Sequence, residues 1–334
     1  MPKKTIFIAL ILSLLLVSCK TLNQPEEPKI QKTVIPEEKK DETNEVKLPE
    51  EHLQKFDSGK SVHNLNDFLF SLGYDVGKKE LFDTLTTWAI TDIQLQLTPL
   101  NATGVYDEMT KKTLDSLKEE TATITVGKKL IQPRNPNKLP KVTENPYDLL
   151  ALINKEHALP NDYIPIDLTL PNVRFPFSES DPKKQLRKIA ATALEELFKA
   201  SDDDGLELFA LSGYRSYERQ KTIFNNNIAR HGEEHANTYS ARPGESEHQT
   251  GLVMDVTNQA VNFELVTEFG QTKEGIWLKD NAHNYGYIIR YPKDKVAITK
   301  YQYEPWHLRF VGVKLATELY ENEITLDEYY KKQL

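Results

Sequence analysis

The chain has 334 residues, enough for two domains and their connections. Hydrophobic residues make up 39% and charged residues 28%, the balance of a soluble globular body. The net charge of −8 and the pI near 5.6 argue against a nucleic-acid partner, because no basic stripe is available to neutralise phosphates.

The N-terminus comes first. Lys3 and Lys4 precede an apolar run, Ile6 to Val17, broken only by Ser13. A dozen residues cannot cross a hydrocarbon core of ~30 Å as a helix, so residues 1–18 are expected to be a secretory signal. The run ends in Leu16-Val17-Ser18-Cys19, which resembles a bacterial lipobox. That resemblance implies lipidation at Cys19 and a position on the outer face of the cell membrane, associated with the wall. Cys19 is the only cysteine in the chain, so the rest holds no disulfide, thiolate metal site or cysteine nucleophile. Residues 19–57 are rich in Glu, Lys, Pro and Thr and are expected to be a disordered tether.

Residues 58–120 carry helical patterning. Leu65, Phe68, Leu69 and Leu72 fall at helical spacing and stop at Gly73. Trp88, Ile90, Ile93, Leu95 and Leu97 precede the turn Asn101–Asp107, after which Thr110, Thr113, Leu114 and Leu117 continue. The stretch TGVYDEMTKKTL resembles the type 1 peptidoglycan-binding domain, which implies three helices, with Asp107 capping the last. Residues 121–144 read as a linker.

From about 145 to 334 helices alternate with short strands. The expected class is α+β, with a small antiparallel sheet flanked by helices behind the helical domain. Asp181-Pro182 is expected to open a long helix with the stripe Leu186, Ile189, Ala190, Ala193, Leu194, Leu197 and Phe198. A polar helix is expected over 217–236. Strands are expected at Leu206–Leu211, Leu252–Val256, Tyr287–Arg290 and His307–Val311.

Two histidine contexts carry chemistry. In Ser246-Glu247-His248-Gln249-Thr250-Gly251-Leu252-Val253-Met254-Asp255, a turn at Gly251 lets a loop histidine and a strand aspartate converge. In Tyr303-Glu304-Pro305-Trp306-His307, Pro305 forces Glu304 into extended backbone, so His307 enters a strand. His248, Asp255 and His307 would leave an open fourth position on a Zn2+ ion, the pattern of a catalytic rather than a structural site. Glu304 is the candidate general base, and Arg215 the candidate contact for a substrate carboxylate or oxyanion. Gln220 and Ser246 are candidate substrate hydrogen-bond partners. A second motif, His231-Gly232-Glu233-Glu234-His235, fits the inverted zincin pattern, but Gly232 weakens the helix it requires.

The stretches LPNVRFPF, SGYRSYERQ, ARPGESEHQTGL and EPWHLRFVG, in that order, resemble the VanY-type D-alanyl-D-alanine carboxypeptidases and the related LD-carboxypeptidases. The pattern Ser-x-His-x-x-Gly-x-Ala-x-Asp is met at Ser246, His248, Gly251 and Asp255 and departs only at Val253. The resemblance implies His248, Asp255 and His307 as zinc ligands, Glu304 as base and Arg215 as transition-state contact. The implied substrate is a peptidoglycan stem peptide trimmed at its C-terminal D-alanine, by a monomer tied to the membrane through its lipid. Two other functions share these residues: a non-catalytic wall-binding module on a peptidase fold, and a peptidoglycan endopeptidase. An intact Glu304 favours an enzyme, and a single poised arginine favours an exopeptidase.

Overall fold

The computed structural model describes residues 47–139 and 141–333. The signal segment, Cys19 and the tether as far as residue 46 lie outside the described residues. No helix among the described residues is long and apolar enough to cross a membrane.

Three helices come first: α1 (Lys60–Ser71), α2 (Thr84–Leu97) and α3 (Glu108–Lys118). Asp83 and Asp107 start the second and third by accepting orphan backbone N–H groups, from Leu85 and Thr86 and from Thr110. Their apolar faces enclose a core of their own, with Leu65, Leu69, Trp88, Ile90, Ile93 and Leu114. The segment before α1 belongs to this body rather than to a tether. Leu48 and Leu53 are buried, and Leu53 pairs with Tyr106, because a few apolar residues at the end of the polar stretch find this core within reach. The stretch after α3 is also fixed. The buried Asp92 carboxylate accepts the N–H groups of Gly127, Lys129 and Leu130, and the Trp88 indole donates to the Leu130 carbonyl.

The remaining elements are β1 (Leu168–Thr169), β2 (Leu186–Arg187), α4 (Lys188–Asp203), β3 (Phe209–Ser212), α5 (Tyr217–His231), α6 (Glu233–Tyr239), β4 (Val253–Thr257), α7 (Lys273–Asn281), β5 (Tyr287–Tyr291), α8 (Val296–Thr299), β6 (Glu304–Phe310), α9 (Val313–Glu321) and α10 (Leu326–Gln333). Two expected helices start or stop differently. Asp181 caps a single 3-10 turn, since Leu186–Arg187 is drawn out to pair with Leu168–Thr169 and α4 begins only at Lys188. The polar helix breaks at Gly232, whose φ of 80° no helix accommodates.

The larger sheet has the order β3-β4-β6-β5, all antiparallel. Side chains alternate across it. Met254, Val256, Leu308 and Phe310 join the core with α4, α7 and α9, while Asp255, His307 and Arg309 alternate with them. Asp255 lies directly opposite His307 in the β4–β6 ladder, which makes the two a cross-strand pair.

Helical body and sheet body meet through buried polar groups. Lys55 Nζ pairs with Asp148 at 3.0 Å, Asn145 donates to Thr91, and Leu149 N–H donates to the Thr103 carbonyl. Arg187 is fully buried and binds Asp167 at 3.0 Å, the Tyr147 carbonyl at 3.0 Å and the Ala102 carbonyl.

Candidate metal centre

His248 sits in a 3-10 turn, Glu247–Thr250, which Gly251 ends in the left-handed conformation at φ 69°. A Cβ at Gly251 would lie 2.9 Å from Arg187 Cγ, so both the turn and the packing require glycine. The chain then enters β4, which delivers Asp255 beside His307. One ligand atom from each of His248, Asp255 and His307 lies within 4.8 Å of the others, and all three residues are buried. Among the described residues this is the only such group of three or more metal-ligating side chains.

The donor atoms are identifiable. His248 donates Nδ1–H to the Gly213 carbonyl at 2.8 Å, which leaves Nε2 to face Asp255 Oδ2 at 3.3 Å. His307 turns Nδ1 toward Asp255 Oδ1, 3.3 Å away, and toward Glu304 Oε2, 3.4 Å away. Asp255 Oδ1 is buried with no hydrogen-bond partner. A buried carboxylate with one oxygen facing each imidazole, and its Oδ1 left without a hydrogen bond, suits a cation, and two histidines with one carboxylate fit Zn2+.

The electrostatics agree. Burial, then the nearby Arg215 charge, pushes His248 down to about 3, so its imidazole stays neutral and can act as a ligand. Burial opposes ionisation of Asp255, but His307 and Arg215 hold the carboxyl below its usual range. Burial would likewise lower His307, yet Asp255, Glu247 and Glu304 raise it well above the ordinary value. The carboxylates that hold the ring's proton would equally favour a metal cation in its place at Nδ1.

Arg215 follows β3 and is half-buried. Its guanidinium donates to Gln220 Oε1 at 3.0 Å and Ser212 Oγ at 3.2 Å, and burial lowers its pKa while Asp255 and Glu304 raise it. Gln220 is fully buried; its other end donates to the Ala241 carbonyl at 2.6 Å, so it supports Arg215. Ser246 is buried at the start of the His248 turn. His231 and His235 flank the break at Gly232, exposed, with rings 5.7 Å apart. They form no group of three with a carboxylate.

Sequence reasoning missed Glu247, Arg290 and Arg309. All three side chains have 0% exposure. The signal was present in part: Arg290 and Arg309 interrupt the apolar strands YIIRY and HLRF, where a charge demands a buried partner.

The family model for VanY, D-alanyl-D-alanine carboxypeptidase, matches residues 183–313. YodJ of Bacillus subtilis (strain 168) is 53% identical over 189 residues, 57% of this chain and 69% of its own. The bifunctional D-Ala-D-Ala dipeptidase and D-Ala-D-Ala carboxypeptidase VanXYC of Enterococcus gallinarum is 34% identical over 185 residues, 54% of this chain and 93% of its own. Among solved structures, the LdcB LD-carboxypeptidase is 53% identical, with a TM-score of 0.56, over 57% of this chain and 89% of that one.

Proposed function

The chain belongs to the VanY family of D-alanyl-D-alanine carboxypeptidases, and from that premise we propose that it is a zinc carboxypeptidase that removes the terminal D-alanine from peptidoglycan stem peptides. The observation that carries the reading is the convergence of His248, Asp255 and His307 with Glu304 at 3.4 Å from the same His307 nitrogen. A structural zinc site has no use for such a carboxylate.

His248, Asp255 and His307 would hold the ion. Bound zinc supplies Lewis acidity: it lowers the pKa of water and polarises the scissile carbonyl. Glu304 takes the proton from the attacking water and hands it to the departing amine, so the leaving group departs neutral. Arg215, held by Gln220 and Ser212, offers its planar fork to the substrate's terminal carboxylate, which selects a chain end. Ser246 borders the His248 turn, where a hydrogen bond to the peptide is available.

The identity to the LD-carboxypeptidase, 53% against 34% for the enterococcal enzyme, favours the tetrapeptide stem over the pentapeptide. Incubation with tri-, tetra- and pentapeptide stems, followed by mass spectrometry, tests this. Release of D-alanine from the tetrapeptide supports the reading. Cleavage only within the peptide makes the protein an endopeptidase, and no cleavage with zinc present makes it a binding module. The lipobox-like Leu16–Cys19 supports anchoring on the outer face of the membrane, which metabolic labelling with a fatty acid, lost in Cys19→Ala, would test.

A further inference from the structure

Glu247 follows Ser246 and precedes the ligand His248, yet its side chain turns to the other histidine. Its Oε2 faces His307 Nε2 at 3.4 Å. Both atoms are buried without a hydrogen-bond partner, and this close approach is the ion-pair contact that each makes. Its Oε1 accepts from Arg290 Nε at 2.8 Å and from an Arg309 terminal nitrogen at 3.0 Å. Arg290 also donates to Asp327 Oδ2 at 2.6 Å, on α10, and Arg309 donates to the Leu149 and Ala151 carbonyls at 3.1 and 3.0 Å. Its Oε1 is thus held from behind by two arginines that are themselves anchored.

Two arginines and two carboxylates, Glu247 and Asp327, balance in charge without any contribution from the metal side. Well-packed apolar residues commonly give equal or greater stability than such a buried ionic group. The arrangement makes sense through what it does to His307. An imidazole ligand must offer one bare nitrogen to the ion, and the partner of its other nitrogen decides which one. For His248 that partner is the Gly213 carbonyl.

We propose that Glu247 is the positioning residue of His307: held by Arg290 and Arg309, it takes the Nε2–H and so turns the Nδ1 lone pair to the metal position. The arginines fix the carboxylate's orientation, and the carboxylate fixes the ring. The inference concerns metal binding by these residues and rests on the peptidase reading only for the choice of zinc.

The test uses the full chain. Zinc affinity is measured by competition with a chromophoric chelator, and the cobalt-substituted protein is followed by its visible absorption. Glu247→Gln is expected to weaken zinc about 10–100-fold, the usual effect of removing an outer partner from a metal-ligating histidine, and to shift the cobalt bands. Asp327→Asn removes a partner of Arg290 but not of His307, and is expected to lower the melting temperature with zinc affinity unchanged. A folded Glu247→Gln protein with wild-type zinc affinity and cobalt spectrum would overturn the proposal. Should that variant fail to fold, the zinc-loaded wild type with 15N-labelled histidine decides. A slowly exchanging Nε2–H on His307 is expected, and attachment through Nε2 would overturn the idea. A wild type that binds zinc in this way but releases no D-alanine would sink the functional reading and leave this one standing.

Discussion

The ion pair between Lys55 and Asp148 joins the helical body to the sheet body, and its removal has a calculable cost. The side chains retain only 8% and 6% exposure, with 3.0 Å between Nζ and Oδ2. The Lys55 ammonium also lies 5.6 Å from the Tyr330 ring centroid. Asp148→Ala leaves a buried ammonium without its counter-charge and also removes the Oδ1 acceptor of the Leu150 N–H, 2.9 Å away. Breaking one partner of a buried pair costs about 3–5 kcal/mol. At about 2–4 °C per kcal/mol for a body of this size, the melting temperature should fall by roughly 6–20 °C. Replacing both partners with apolar residues, as in Lys55→Met with Asp148→Leu, should restore most of the loss, because neither charge is then stranded. Calorimetry is the assay. The wild type should unfold in one transition, and Asp148→Ala should separate the helical body's transition from that of the sheet. A shift below about 2 °C in Asp148→Ala, at most about 1 kcal/mol on the same scale, or a double variant as unstable as the singles, would refute the reasoning.

Four further outcomes follow from the geometry. Glu304→Gln should lower kcat by about 10²–10⁴-fold while zinc affinity, measured by chelator competition, holds, because His248, Asp255 and His307 remain. Arg215→Lys should raise KM for a stem peptide more than it lowers kcat, since a point charge replaces a fork that Gln220 and Ser212 aim; equal kinetics in the two proteins would remove Arg215 from carboxylate binding. Gly251→Ala meets both a φ of 69° and a Cβ contact of 2.9 Å to Arg187, so it should cost about 1–3 kcal/mol in a denaturant melt and weaken zinc binding by displacing His248. Asp92→Ala strips three backbone N–H groups at 127–130 of their acceptor, so limited proteolysis should cut there in the variant and not in the wild type.

What the sequence disclosed follows from the range of the forces involved. The sheet ligands were legible because Gly251 and Pro305 impose backbone geometry within a few residues, and a period of two places Asp255 and His307 on one face once the strands pair. The three helices were legible from the apolar spacing that begins at Leu65, Phe68 and Leu69, and the last also from Asp107, which caps it locally. The boundary of the helical body was not. Leu48 and Leu53 sit in a stretch whose composition reads as disordered, and only a partner more than fifty residues away, Tyr106, gives Leu53 a place. Residues 121–130 fail for the same reason, since a linker composition says nothing about an Asp92 carboxylate waiting for its N–H groups. Glu247 is the sharpest case. Its position beside His248 suggests a partner for that ligand, but the 3-10 turn rotates it to His307, and the arginines that hold it come from β5 and β6. Local sequence thus names the residues proposed to hold the ion. The groups that orient those residues are set by chain segments 43 and 62 residues away, and only the folded sheet brings them together.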